Sequence, residues 1–492
     1  MEDLKGRAIR GGFVTLSALA ANFILRMGSL IVLARLLMPE EFGLVGMVLA
    51  VTGVLGLFKD AGLSMATIQR ATIDEEQVST LFWFNILVGV LLALLSCLIA
   101  PLLVSFYREP RLFWVTVALG TGYFLSAAAT QHQALLQRKM RFVALASIDI
   151  LSQVVSIAVG IVMAATGFGY WALVGMAVVL PAAYGLGVWC AAAWTPGIPR
   201  WRHGITSMLH FGGTVTLNNV IIYLAYNIEK VLLGRFWGAE ALGLYGRAYQ
   251  LVNMPTGQLN TAIGWVAFPA LSRIQDDAIR LKTYFLKGYS LVLGLTIPIT
   301  VACAMFADEI IYVFLGPNWT DAAMIFRLLS PTVLAFSLIN PFGWLLMARG
   351  QVGRSLKMAL VISPLVILAY VCGLSYGPNG VAFGFSAMMT LLIVPMVAWA
   401  IYGSPISSRD VMQTVSRPIL AGLAAAAISF LIYHFCGRDL SAISRLVLGS
   451  TALLSSYVWI LLYGMGQKSF YLDLFRELIN RSSENKGERS AT

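Results

Sequence analysis

The sequence predicts an all-α integral membrane protein of about 14 transmembrane helices, and three observations predict it. First, 59% of the 492 residues are hydrophobic and 12% are charged, against roughly 45–50% and 25% in soluble domains. Second, stretches of the ~20 apolar residues that cross a bilayer alternate with short polar breaks from Phe13 to Gly464. Third, the basic residues are unevenly divided between alternate loops, as the positive-inside rule demands.

In chain order the expected spans are 12–34, 42–66, 79–106, 112–136, 142–166, 170–193 and 208–233, then 242–269, 284–306, 322–347, 356–376, 380–402, 413–435 and 443–464. An even number of spans puts both termini on one side. Of 34 Lys and Arg residues, 22 fall in loops or span edges on that side and 6 on the other, so both termini are expected in the cytoplasm. The basic start Met1–Arg10 precedes about 25 apolar residues, too long for a signal-peptide core, and is expected to stay as residues 1–11 before span 1.

The net charge of +11 would suit nucleic acid only if a soluble face carried it, and none is long enough; no nucleic-acid partner is expected. Cys97, Cys190, Cys303, Cys372 and Cys436 lie far apart in or beside apolar segments. That spacing favours packing over disulfides or zinc. No P-loop, G-x-S-x-G or H-E-x-x-H occurs, so neither ATP-driven transport nor common hydrolysis has its residues. No metal or cofactor is expected.

An internal repeat appears at an offset of 200 residues. Residues 33–46 lie over 233–246 without a gap, matching at Leu33/Leu233, Arg35/Arg235, Glu40/Glu240, Gly43/Gly243, Leu44/Leu244 and Gly46/Gly246. Transporters are often built from duplicated bundles. The expected organisation is a bundle of six helices at 12–193, a cytoplasmic linker at 194–207, a second such bundle at 208–402, two additional helices at 413–464 and a cytoplasmic tail at 465–492.

The run Leu33–Gly43, then Asp60–Ser64, Phe106–Pro110, Gly234–Arg235, Leu242–Tyr245, Ala248–Tyr249, Pro255 and Phe268–Arg273 resembles the Wzx-type polysaccharide transporters. These belong to the multidrug, oligosaccharidyl-lipid and polysaccharide exporter superfamily, and the colanic-acid-exporter branch is the most similar. The resemblance implies two six-helix bundles around a central V-shaped cavity in a bacterial inner membrane. It implies export of undecaprenyl-diphosphate-linked sugar units by alternating access, driven by a proton or sodium gradient, with a polymerase and export machinery as partners. One departure is Asn227-Ile228-Glu229, where the family favours Asn-x-Asp.

Charges inside spans mark cavities or partners, since each costs about 2.5–3.5 kcal/mol at the bilayer centre. Arg26 shares a stripe of about 60° with Thr15, Asn22 and Ser29. A guanidinium there can fork onto a diphosphate, or it can pair structurally with Asp149. Span 7 offers Thr216, Asn219, Tyr223, Tyr226 and Lys230 on one face, suited to sugars or to an interfacial belt. Span 8 offers Arg247 with Gln250, Met254, Gln258 and Thr261, and span 10 offers Arg327; snorkelling competes with substrate binding at both.

Lys59 beside Asp60 can receive the diphosphate or merely neutralise its neighbour. Asp149, on a face with Ser152, Gln153 and Ser156, can carry the coupling ion or partner Arg26 or Lys59. Glu229 has the same two roles, with Lys230 as its local partner. His132 is expected at the membrane interface. The rivals are a multidrug exporter of the same superfamily, which would want an acidic cavity, and a membrane polysaccharide polymerase or ligase, which would want a long outer loop. The spans' charges lean cationic and the loops are short.

Overall fold

The computed structural model describes residues 2–59, 64, 67, 73–199, 223, 227–436, 440–469 and 471, without the side chains of 2–16 and a few later positions. Every long described element is helical: α1 (Glu2–Leu36), α2 (Pro39–Gly56), α3 (Glu75–Tyr107), α4 (Leu112–Arg138), α5 (Phe142–Ala165), α6 (Trp171–Ala192) and α7 (Ile228–Arg273), followed by α8 (Ala278–Met305), the short α9 (Ala307–Phe314), α10 (Ala322–Ala348), α11 (Val352–Leu374), α12 (Gly377–Ile401), α13 (Ser408–Cys436) and α14 (Ala442–Trp459). No strand occurs among the described residues.

Twelve described helices are long and apolar enough to cross a membrane. They correspond to twelve of the expected spans. Residues 208–222 and 224–226 lie outside the described residues, so the expected span 7 is visible only from Tyr223 and from Asn227 onward. The expected span 8 is instead the second part of α7, which begins at Ile228 and breaks at Gly238 (φ 84°, ψ −175°). Glycine takes that conformation without the Cβ clash that other residues suffer, so the turn falls where the repeat places one.

The helix starts are encoded locally. At α2 the Glu41 carboxylate accepts from the Met38 N–H at 2.7 Å, with Pro39 at the first helical position, and at α3 Gln77 Oε1 accepts from the Asp74 N–H at 3.4 Å. These side chains satisfy backbone N–H groups that have no partner within the helix. At α8, Asp277 accepts from the Arg280 N–H at 3.0 Å.

The chain divides into two compact units, one of residues 1–246, 315–319 and 370–381, the other of 247–314, 320–369 and 382–492. In the first unit α1 packs on α5, α3 on α4, and α6 on α4 and α5. Near one end His132 is buried, stacked on Trp189 (4.2 Å between centroids), with its Nε2 3.2 Å from the Trp194 carbonyl. The histidine is a packed aromatic neighbour at that end of α4. In the second unit Phe285, Tyr289 and Phe342 interlock, and the Tyr289 hydroxyl donates to the Leu338 carbonyl at 3.2 Å. Glu309, buried, accepts from Tyr433 at 2.6 Å and lies 3.8 Å from Arg445, fastening α9 to α13 and α14.

In the turn between α3 and α4, Arg111 forks onto Glu109 at 2.8 and 2.9 Å and reaches Glu40 at 2.5 Å. The hydrogen bond from Arg111 holds the Glu109 carboxyl below the ordinary carboxylate range. A carboxylate whose folded pKa is depressed stabilises the fold above its unfolded pKa, near 4.3 for Glu, and loses that contribution as pH falls through the folded value. Because the cluster is largely exposed, the effect is under about 1 kcal/mol. In detergent melts, Glu109→Gln is expected to lower the midpoint slightly at pH 7 and to match the parent at pH 3.

Candidate functional site

The candidate residues Asn22, Arg26 and Asp149 of the first unit lie on α1 and α5. Along α1 the buried positions Ala18, Asn22, Ser29, Leu30, Leu33, Ala34 and Leu37 cover an arc of about 160° at 100° per residue. Arg26 falls near the middle of that arc, yet it is exposed. The other exposed residues between Ser17 and Val32, namely Ser17, Ala20, Ile24, Gly28 and Val32, lie on the opposite side of the wheel. Arg26 therefore does not share the apolar outer face. It opens onto unfilled space on the side where the helix packs.

Next to it, Asn22 Nδ2 donates to Asp149 Oδ2 at 2.6 Å, joining α1 to α5. Asn22 is 9% exposed and its Oδ1 has no hydrogen-bond partner among the described residues. The sequence suggested an Arg26–Asp149 pair, but the structure gives the carboxylate to the asparagine one turn earlier. No hydrogen bond or ion pair to Arg26 forms among the described residues.

On α2 the carbonyls of the last turns are taken by phenols. Tyr123 donates to Thr52 O at 2.5 Å and Tyr223 to Leu49 O at 3.0 Å. Gly53 makes room for the second of these, since a Cβ there would overlap the Tyr223 hydroxyl. The helix ends at Gly56, short of the expected residue 66, and Lys59 follows in an exposed turn. Asp60 and Tyr226 lie outside the described residues.

Glu229 is 1% exposed and its Oε2 has no hydrogen-bond partner among the described residues. Lys230 donates instead to Asn227 Oδ1 at 2.6 Å. In the second unit Arg247 NH1 donates to Gln250 Oε1. Arg327 binds Asp308 at 2.6 Å and the Ala304 carbonyl at 3.3 Å. The structure thus brings Asn22, Asp149 and Arg26 together on adjoining turns, and it engages Lys230, Arg247 and Arg327 in local bonds. Sequence reasoning missed Tyr123 and Gly53; the only signal was a glycine and a tyrosine in otherwise apolar spans.

No group of three or more His, Cys, Asp or Glu able to hold a metal occurs among the described residues. The four described cysteine side chains, of Cys97, Cys190, Cys303 and Cys372, are free.

A family model described as "Polysaccharide biosynthesis protein" matches residues 32–324, more than half of the chain. The chain belongs to that family. Among curated relatives of this polysaccharide biosynthesis protein, the teichuronic acid biosynthesis protein TuaB of Bacillus subtilis (strain 168) is 27% identical, over 82% of this chain and 84% of its own. The lipopolysaccharide biosynthesis protein WzxC of Escherichia coli (strain K12) is 26% identical, over 84% and 85%. The succinoglycan biosynthesis transport protein ExoT of Rhizobium meliloti (strain 1021) is 22% identical, over 94% and 93%.

Among solved structures, the lipid II flippase MurJ in an inward closed conformation superposes with a TM-score of 0.72 at 15% identity, over 93% of this chain and 99% of that one. An inward-facing multidrug resistance transporter of the MATE family and MOP superfamily gives 0.62 at 16% identity, over 78% and 94%. The family member described here shares their transporter fold.

Proposed function

We propose that this membrane protein translocates undecaprenyl-diphosphate-linked oligosaccharide units from the inner to the outer leaflet for surface polysaccharide synthesis, as a secondary transporter and not an enzyme. The carrying observation is Arg26: a guanidinium exposed on the packed face of a membrane helix, with no protein anion bound to it among the described residues. An intramembrane cation so placed serves a ligand by default, and two parallel N–H···O bonds suit a diphosphate. Asn22 Oδ1, buried and without a hydrogen-bond partner among the described residues, is an acceptor on the same stripe, fit for sugar hydroxyls. In the first unit Tyr223 and Tyr226 supply stacking surfaces, and Lys59 and Lys230 further positive charge; in the second unit Arg247 is a candidate contact of its own, while Arg327 is neutralised by Asp308.

The full architecture in this proposal has fourteen spans, two bundles of six at 12–193 and 208–402, and two added helices at 413–464. Both termini lie in the cytoplasm and the membrane is the bacterial inner one. A proton or sodium gradient drives export, with Asp149 as the coupling carboxylate and Asp60 and Glu229 in support. The polymerase that consumes the exported unit is the natural partner. Names of the relatives support this reading: teichuronic acid, lipopolysaccharide and succinoglycan are all polysaccharides, and ExoT is named a transport protein. The MATE likeness shows only the fold, and the cationic lean of the intramembrane charges disfavours cationic drugs.

The test is a deletion strain analysed for lipid-linked sugars. Loss of the gene is expected to remove the surface polysaccharide and trap its undecaprenyl-diphosphate precursor in the cytoplasmic leaflet. Unchanged polysaccharide with heightened drug sensitivity would reject the proposal in favour of the multidrug exporter.

A further inference from the structure

The repeat detected in the sequence meets itself in the structure. A Cβ built on Gly43 would overlap the Ala239 carbonyl, and one built on Gly243 would overlap the Pro39 carbonyl and lie 3.2 Å from the Gly43 nitrogen. Since 239 and 243 are 39 and 43 displaced by the 200-residue offset, each copy touches the other through the equivalent position. Such a contact is its own image, the internal counterpart of an isologous interface. Backbones approach this closely only where small residues line both helices.

Reciprocity extends to the flanks. Trp319, from the turn after α9, donates through Nε1 to the Ala34 carbonyl at 2.7 Å, while Tyr107, at the end of α3, lies against Gly234. Arg235 sits 5.5 Å from the Phe106 ring, and Arg35 lines Gly316. Leu33, Phe42, Leu233, Leu242 and Trp319 are all buried in this seam. It fills the turn-bearing end of the first unit with apolar side chains and backbone. Arg26 lies nine residues before Arg35, about 14 Å along α1 at 1.5 Å per residue.

We propose that the Gly43–Gly243 crossing is the outer gate of the transport path: shut in this structure, it parts in every cycle to release cargo, and the two glycines set how readily it reseals. This inference rests on the transport function proposed above. The seam must separate because a hydrophilic oligosaccharide held near Arg26 has no exit past buried Leu33, Phe42 and Trp319. The crossing suits that task. Backbone-to-backbone approach at the glycines lets the flanking apolar side chains meet, so a Cβ at either glycine would hold the seam apart.

The experiment uses the full chain with its five cysteines replaced and a new pair, Gly46→Cys with Leu242→Cys, whose positions face each other across the seam (Gly46 Cβ to Leu242 Cγ, 3.6 Å). Oxidation in membranes is expected to cross-link the pair and stop export, and reduction to restore it. Gly43→Ala and Gly243→Ala are each expected to leave protein level unchanged and to cut cross-linking, roughly tenfold for a Cβ forced into backbone. Their effects should be equal. A membrane-impermeant maleimide added from outside should label Leu33→Cys in these variants and spare it in the cross-linked protein.

Export at full rate through the cross-linked pair, or failure of the pair to cross-link at all, would overturn the gate. So would outside labelling of Leu33→Cys that the cross-link does not change. Cross-linking and labelling need no substrate. If the deletion strain makes normal polysaccharide the transport reading fails, while labelling still decides whether the seam opens.

Discussion

Arg26→Ala is expected to abolish polysaccharide export while the protein inserts and accumulates normally. Charge-assisted hydrogen bonds contribute about 1.5–3 kcal/mol each. Loss of a two-bond fork therefore weakens diphosphate binding by about 100-fold or more, at 1.4 kcal/mol per tenfold. Arg26→Lys keeps the charge but loses the planar fork and should retain partial export. Because Asp149 is held by Asn22 rather than by Arg26, adding Asp149→Ala to Arg26→Ala should not restore export. Recovery of both protein level and export in the double variant would establish a structural ion pair and refute the anchor.

The second large effect concerns Asp149. Its carboxylate accepts the Asn22 amide at 2.6 Å, and an asparagine in its place can accept the same bond through its carbonyl oxygen. Asp149→Asn is therefore expected to preserve α1–α5 packing and membrane abundance. It removes the one thing a coupling carboxylate must have, a charge that a proton or sodium ion can neutralise. Export should fall to the background of the deletion strain. Asp149→Ala should in addition lower abundance, by leaving Asn22 with a buried, unpaired amide costing about 1–3 kcal/mol. Full export from Asp149→Asn, assayed beside immunoblots of the membrane fraction, would make Asp149 a purely structural acceptor.

Much of the fold could be read from residue order, since a membrane helix announces itself through twenty apolar residues and most of the twelve long apolar helices fall within a few residues of their expected places. The failures have tertiary causes. The helix α2 ends at Gly56, and phenols from Tyr123 and Tyr223 donate to carbonyls of its last turns, contacts made by residues far from it in sequence. The orientation of Arg26 followed from the helical wheel alone. Its lack of a partner among the described residues did not, because the register of α1 on α5, which gives Asp149 to Asn22, depends on how two helices slide against each other. The coincidence of Gly43 with Gly243 was visible as a repeat, but that each glycine receives the other copy's backbone is a property of the folded crossing. Arg327, an apparent intramembrane cation, finds Asp308 because the chain turns back through the short α9.

The most direct measurement reconstitutes the purified full chain into liposomes holding an undecaprenyl-diphosphate-linked oligosaccharide on one leaflet, and follows its sugars with a membrane-impermeant reagent on the other. The account predicts translocation well above that of protein-free vesicles, dependence on an imposed proton or sodium gradient, and loss of the signal in Arg26→Ala. Movement no faster than in empty vesicles, or equal movement by wild type and Arg26→Ala, would contradict it.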